Sequence, residues 1–319
     1  MSAGLLSVRV ERRTCEADDI CSYELVSEDG SDLPAFTAGA HIDVHIAPGL
    51  IRQYSLCNAP HERHRYVIGV LRDPASRGGS QAMHAIEAGA RLHIGAPRNL
   101  FELTEAPRSL LLAGGIGVTP MLAMAEALTA CGAQFEFHYC ARSPERMAFR
   151  DRIAASPFSG HAHLYCDTGD GARKLDLPAL LAGLDRSTHI YFCGPAGFID
   201  YVKATAAQQQ WPFDQLHLEY FGATVVAATG DQPFEVTIKS TGAAYAVPVG
   251  TTVLQVLQDA GVFVPASCEQ GVCGTCLTRV LEGVPDHRDL YLTEEEQAAN
   301  DQFTPCCSRS KTPRLLLDL

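Results

Sequence analysis

Short runs in which apolar and polar residues alternate fill the first third of the chain. SVRVERR, CSYELVSE, HIDVHIA, IRQYSLC, YVIGVLRD and RLHIGAP all follow a period of two, with Gly, Pro and Asp between them. That is the pattern of half-buried strands joined by turns. Six such strands with one helical insert, QAMHAIEAG, predict a small antiparallel β-barrel over residues 1–104. The pattern changes after Pro107. SLLLAGG is a near-continuous apolar strand followed by a helical stretch, TPMLAMAEALTAC. FEFHYCARS and HIYFCGP repeat the arrangement, each an apolar strand followed by helix. Apolar strands alternating with helices predict a parallel sheet covered on both faces, here over residues 105–225. A small, turn-rich stretch at about 222–232 then reads as a linker. The remainder, 226–319, begins with a hairpin (FEVTIKS, AAYAVPVG). A helix follows, capped by Thr251 or Thr252 and closed by Gly261, and then a cysteine loop and two closing strands, CLTRVLEG and RLLLDL.

Composition narrows the function classes. The 319 residues carry a formal net charge of −12, with 46% apolar and 19% charged residues. The acidic balance argues against nucleic acid and anionic membranes, which select a basic face. The start, MSAGLLSVRVERR, lacks the apolar core of a signal peptide, and no apolar run approaches the roughly 18 residues of a membrane span. Twelve cysteines with no disulfide framework suit a reducing, cytoplasmic location.

Four of those cysteines carry the strongest chemical signal. Cys268, Cys273 and Cys276 follow C-x4-C-x2-C, and Cys306 lies thirty residues beyond. This is the plant-type [2Fe–2S] spacing. Gly271 and Gly274 stand between the ligands, where backbone N–H groups approach the sulfurs unobstructed. Zinc sites more often pair two Cys-x2-Cys knuckles, and only one such pair exists here. Cys307 competes with its neighbour as fourth ligand. The commonest spacing selects Cys306 and turns Cys307 the other way along an extended backbone.

Two further motifs point to nucleotide chemistry. AGGIGVTP directly follows an apolar strand, so Gly115, Ile116 and Gly117 can bring amides close to a pyrophosphate. Pro120 replaces the third glycine of the G-x-G-x-x-G fingerprint, and Thr119 is expected to cap the helix. A glycine turn can also be purely structural. Cys193 and Gly194, in FCGPAGF, fall at the carboxyl end of another parallel strand, on the ligand edge of an α/β sheet. Alone, Cys193 reads as a small buried residue. In IRQYSLC, Arg52 and Tyr54 share one face of a strand and Gln53 and Ser55 the other, so a cation stands beside an aromatic. Arg77, Gly78, Gly79 and Ser80 read as a phosphate cradle, with Ser80 capping the next helix. Without context, Arg-x-Tyr-Ser is an ordinary barrel strand.

Arg-x-Tyr-Ser, Gly-Gly-Ile-Gly-x-Thr-Pro, Cys-Gly-Pro and a ferredoxin loop occur in that order along the whole chain. The arrangement resembles the phthalate dioxygenase reductase family, within the ferredoxin–NADP reductase-like superfamily. It is most similar there to reductase components of vanillate O-demethylase-type oxygenases. The resemblance implies three domains: a flavin-binding barrel, a nicotinamide-binding α/β domain and a β-grasp ferredoxin domain. It implies FMN, NADH and a [2Fe–2S] cluster as cofactors, a monomer, and a separate Rieske non-haem iron oxygenase as partner. Arg52 would then contact the FMN phosphate, Tyr54 pack on the ring and Ser55 lie near N5, with Arg77 to Ser80 at the phosphate end. Gly115 to Thr119 would face the NADH pyrophosphate, with Cys193 and Gly194 near the nicotinamide. Phe221, in EYFG, would cover the flavin where the nicotinamide enters, although alone it reads as a core residue. Asp167 would meet the adenine ribose and repel a 2′-phosphate, although it also reads as a surface-loop residue.

The chemistry implied is a conversion of electron number. NADH gives up two electrons at once and the cluster accepts one, so a flavin must stand between them. The competing functions are a stand-alone NADH:acceptor reductase for a haem protein, quinone or ferric chelate, and a non-enzymatic redox sensor. The ferredoxin segment favours electron delivery to a docked protein.

Overall fold

The alternating runs at the start of the chain form strands close to where the pattern puts them. The computed structural model describes residues 5–48, 50–74, 78–169, 171–221, 230–266, 271, 274–289 and 291–319. Two units, Met1–Phe221 and Gly222–Leu319, make up the chain.

The first unit begins with β1 (Leu6–Ala17), β2 (Ile20–Ser27), β3 (Ala40–Ala47), β4 (Leu50–Ser55), β5 (Tyr66–Leu71), β6 (Arg91–Ile94) and β7 (Arg98–Asn99). They form one sheet in the order β4-β3-β6-β1-β2-β5, with β7 on β3, and every pairing is antiparallel. A bridge between Leu56 and Ile68 joins the two ends, with the Cys57 N–H donating to Val67 O at 2.9 Å. The sheet therefore closes on itself and leaves no long free edge. Val8, Val10, Leu25, Ile42, Val44 and Ile94 fill its interior. The helical insert is a short helix, α1 (Gly79–His84), packed against β3, β4 and β5. Ser80 does not cap it. Gly78 occupies the N-cap with φ 90°, a conformation costly for any residue with a Cβ, while Ser80 Oγ accepts the Asp73 N–H at 3.0 Å.

The chain continues through β8 (Arg108–Gly114), α2 (Val118–Ala130), β9 (Phe135–Ala141), α3 (Arg150–Ala155), β10 (Ala162–Cys166), α4 (Leu177–Ala182), β11 (Thr188–Gly194), α5 (Ala196–Gln208) and β12 (Leu216–Tyr220). The sheet is parallel throughout, in the order β10-β9-β8-β11-β12. Leu111, Ala113 and Phe137 face α2 on one side, and Leu110, Leu112, Ile190 and Phe192 meet α4 and α5 on the other. The edge strands β10 and β12 are additions to the sequence reading. Both are short and largely half-buried, so neither shows the continuous apolar run of a central strand. Thr119 does not cap α2 either. A turn of 3-10 helix, Gly115–Gly117, precedes the helix, and Thr119 lies inside it with its hydroxyl donating to Ile116 O at 3.1 Å.

In the second unit, β13 (Phe234–Ile238), β14 (Ala244–Val247), β15 (Thr278–Glu282), β17 (Gln302–Phe303) and β19 (Arg314–Leu317) form a mixed sheet in the order β14-β13-β19-β15-β17. The parallel pairing of β13 with β19 brings both ends of the unit side by side. β16 (Pro285–Asp286) and β18 (Arg309–Ser310) pair separately. Helix α6 (Val253–Asp259) buries Val253, Leu254 and Leu257 in the core. Thr252 is its cap, its side chain accepting the Gln255 N–H, and Gly261 follows at φ 74°. α7 (Glu294–Ala299) starts with a capping box between Thr293 and Glu296 that the sequence reading passed over. No helix among the described residues is long and apolar enough to cross a membrane.

Candidate functional site

A parallel sheet offers a binding crevice where its strand order reverses, because the loops after the two strands part there. From β8 the chain moves outward to β9 and β10 and then returns to β11 and β12, so the reversal lies between β8 and β11. Both strands end there in glycine. A Cβ on Gly194 would lie 3.0 Å from Gly114 Cα, and one on Gly117 would lie 2.2 Å from Cys193 O. Glycine is what permits this approach of two backbones. The structure thus brings Gly115, Ile116, Gly117, Cys193 and Gly194 to one place, where the three glycines present no side chain to obstruct a pyrophosphate. We expect Gly117→Ala to cost about 3 kcal/mol of stability, since the obstructing atoms are backbone. Thermal melting and the KM for NADH would report it, and an unchanged KM with an unchanged Tm would contradict this packing.

Asp167 follows β10, two strands outward from β8, and is exposed, with its N–H donating to Ala141 O at 3.1 Å.

The barrel and the parallel sheet meet through a buried polar contact. Ser55, the last residue of β4 and 4% exposed, donates its hydroxyl to Glu219 Oε2 at 3.1 Å. Glu219 lies on β12, in register with Cys193 of β11. Burial pushes the Glu219 carboxyl up to about 8, against the opposing pull of the Ser55 hydrogen bond. Burial, and then the charge of Glu219, raises the fully buried Cys193 thiol well above its ordinary value. Both side chains are therefore neutral at pH 7. Glu219 escaped the sequence reading. A glutamate in LHLEYFG has no local signature, and only the pairing of an edge strand with β11 and the approach of β4 give it this setting. Phe221 follows two residues later and is 37% exposed, so it is not a core residue.

Along β4, Arg52 lies about 10 Å from Ser55. Gly79 at the start of α1 is packed against it, since a Cβ there would stand 2.5 Å from Arg52 Nε. A guanidinium beside a helix start that carries no side chain suits a phosphate, and Gly78 adjoins it. Arg77 lies outside the described residues. Tyr54 is half-buried against the barrel core, and burial raises its phenol.

In the second unit, Cys276 and Cys306 are buried at 3% and 2% exposed. The Gly271 N–H donates to Cys306 Sγ at 3.2 Å. Gly271 has φ 73°, and a Cβ there would fall 2.4 Å from Cys307 Sγ. Hydrogen bonds with Cys276 and Cys307, and then burial, push the Cys306 thiol up, while the hydrogen bond with Cys306, against the effect of burial, brings the Cys307 thiol down to about 7. Cys307 is half-buried and meets Thr304 Oγ1 at 3.2 Å. Cys268 and Cys273 lie outside the described residues. The described sulfurs and the donating amide fit an iron–sulfur cluster.

Comparison with known proteins agrees with this geometry. The oxidoreductase NAD-binding domain family matches residues 111–204, and the 2Fe-2S iron-sulfur cluster binding domain family matches residues 236–311. Vanillate O-demethylase oxidoreductase of Pseudomonas putida is 54% identical over 99% of this chain and 100% of its own length. A solved structure described as phthalate dioxygenase reductase, a modular structure for electron transfer from pyridine nucleotides to [2Fe-2S], superposes with a TM-score of 0.80 at 38% identity. It covers 99% of this chain and 98% of that one. This chain belongs to the phthalate dioxygenase reductase-like family. It is an oxidoreductase of three modules, an antiparallel flavin barrel, a parallel-sheet NAD module and a ferredoxin module, and its cofactors are FMN, NADH and a [2Fe–2S] cluster. The same modules recur in an intact type IV self-sufficient cytochrome P450 monooxygenase. That match has a TM-score of 0.78 and 39% identity, over 99% of this chain and 41% of that one.

Proposed function

We propose that this chain is the reductase component of a two-component Rieske non-haem iron oxygenase acting on an aromatic acid of the vanillate type, and that it draws electrons from NADH. The observation that carries this reading is the unbroken likeness to vanillate O-demethylase oxidoreductase from end to end, ferredoxin segment included. The ferredoxin segment suits delivery of electrons one at a time to a docked protein. The exposed carboxylate of Asp167 stands in line with the glycine crevice along the sheet edge and would repel a 2′-phosphate, which favours NADH over NADPH.

When bound, the three groups supply the conversion of a two-electron donor into single electrons. The protein positions them. The amides of Gly115 to Gly117 and of Gly194 would hold the pyrophosphate, and Arg52, with Gly78 and Gly79, would hold the flavin phosphate. Cys193, buried and neutral, gives the nicotinamide end of the crevice an uncharged floor. The Ser55 hydroxyl donates to Glu219 Oε2, and the Glu219 carboxyl keeps its own proton up to about pH 8. Ser55 would pass its own proton toward the flavin edge and take the Glu219 proton in exchange, leaving a carboxylate that the Ser55 hydroxyl still hydrogen-bonds. Phe221, exposed and two residues beyond, can swing away as the nicotinamide enters.

Ser55→Ala is expected to slow NADH-driven flavin reduction by about tenfold while leaving FMN affinity nearly unchanged. Stopped-flow absorbance and flavin titration separate the two effects, and equal losses in both would remove Ser55 from this role. The partner is tested by mixing the purified protein with NADH, vanillate and the oxygenase component of a vanillate O-demethylase. Vanillate consumption that depends on all the components supports the proposal. NADH oxidation that is indifferent to the oxygenase, yet stimulated by a cytochrome P450, would support a haem acceptor, the reading that the P450 likeness favours.

A further inference from the structure

The parallel sheet carries a second cluster of titratable groups, on the face turned away from α2. Glu136 and His138 stand two residues apart on β9, so their side chains share a face, and His163 on β10 is the register partner of His138. One potential ligand atom from each lies within 4.8 Å of the others. Glu136 and His163 are each the second residue of their strand and His138 is midway along β9, whereas the nucleotide crevice is at the carboxyl ends.

The cluster has the orientation of ligands more than of an ordinary ion pair. His138 is 4% exposed, its Nδ1 lies 3.0 Å from the Tyr165 hydroxyl, and its Nε2 lies 3.0 Å from Glu136 Oε2. A metal-binding histidine is held in this way, one ring nitrogen fixed by a hydrogen bond and the other aimed at the ion. Arg108 holds the second carboxylate oxygen of Glu136, which fixes the direction of the first. Neither nitrogen of His163 has a hydrogen-bond partner among the described residues, and its ring tilts over that of His138 at 4.8 Å. His163 and Glu136 line an open cleft of about 550 Å³ that admits ions and water.

We propose that Glu136, His138 and His163 bind a divalent zinc-like transition-metal ion at the β9–β10 edge of the sheet. Two imidazoles and a carboxylate suit zinc and its late first-row neighbours rather than calcium or magnesium. At ligand distances of about 2.0–2.2 Å, a pair of ligand atoms 3.0 Å apart subtends roughly a right angle at the ion. A tetrahedral pair at such distances is separated by about 3.3 Å, so His163 moves inward by at most about 1.5 Å. The ion takes the place of the proton between His138 Nε2 and Glu136 Oε2. The displaced proton moves to His138 Nδ1, which then donates to the Tyr165 hydroxyl oxygen, and a water in the cleft supplies the fourth ligand. The positive charges of Arg108 and of Arg173, which stacks over Tyr165, oppose binding and limit its strength.

The test is equilibrium dialysis of chelator-washed, oxidised holoenzyme against Zn2+, followed by zinc-edge X-ray absorption, which the cluster iron does not disturb. One zinc per chain with only nitrogen and oxygen ligands at about 2.0–2.2 Å is expected. His163→Ala and Glu136→Gln should each weaken binding by about tenfold or more, with NADH:ferricyanide activity unchanged as a check on folding. Sulfur ligands at about 2.3 Å would assign the ion to cysteines and overturn the proposal. So would zinc affinity unaltered in both variants, or no zinc retained by the parent protein.

Discussion

Cys306→Ala is expected to abolish the [2Fe–2S] cluster and to cut NADH-dependent cytochrome c reduction by roughly two orders of magnitude or more. Reduction of the flavin by NADH should survive, because its residues lie in the other unit of the chain. Cys307→Ala should keep both cluster and activity. The two sulfurs are adjacent in sequence, but their surroundings differ. Cys306 is the more buried and accepts the N–H of Gly271, which favours a thiolate and, through it, an anionic cluster. Cys307 Sγ is engaged by Thr304 Oγ1. Iron content, the visible spectrum and EPR of the reduced variants would decide. A Cys307→Ala protein without its cluster, beside a Cys306→Ala protein that keeps it, would reverse the assignment.

Glu219→Gln is expected to slow flavin reduction by roughly ten- to hundredfold and to flatten its dependence on pH near 8. The parent carboxyl is protonated below about pH 8 and ionised above it, so its rate should change through that region. The amide has no such proton to give. The same shift sets the sign of a stability effect. Between the ordinary glutamate value of 4.5 and about 8, the folded protein binds a proton that the unfolded chain has released. Stability at this site is therefore greatest below 4.5, declines as pH rises through that window, and stays at its lowest above 8. Glu219→Gln should melt close to the parent at pH 5 and above it at pH 8.5. A variant that keeps the parental pH profile would assign the transition to another group.

What was legible in the sequence, and what was not, follows from range. The barrel strands, the central strands β8, β9 and β11, and helix α6 write their burial into local periodicity, and each was placed close to its observed span. The edge strands β10 and β12 bury little, so their pattern is weak. The threonine cap expected for α6 held, whereas those expected at Ser80 and Thr119 failed for one reason. Gly78 and Gly117 hold the N-cap positions, so Ser80 and Thr119 fall inside their helices. The glycine loop, Cys193 and Ser55 were each ambiguous alone and gained meaning from their order along the chain. Their convergence, and the arrival of Glu219 beside Ser55 from 164 positions away, comes from strand pairing and domain packing that no local pattern encodes. Arg77, Cys268 and Cys273 rest on motif spacing, since they lie outside the described residues.

Electron transfer from NADH through the flavin to the cluster is read out by anaerobic titration of the purified protein with NADH, followed by visible absorption and low-temperature EPR. Bleaching of the flavin band is expected together with the rhombic signal of a reduced [2Fe–2S] cluster, in proportion to the NADH added. Flavin bleaching with no cluster signal at any ratio of NADH would contradict electron transfer along this chain.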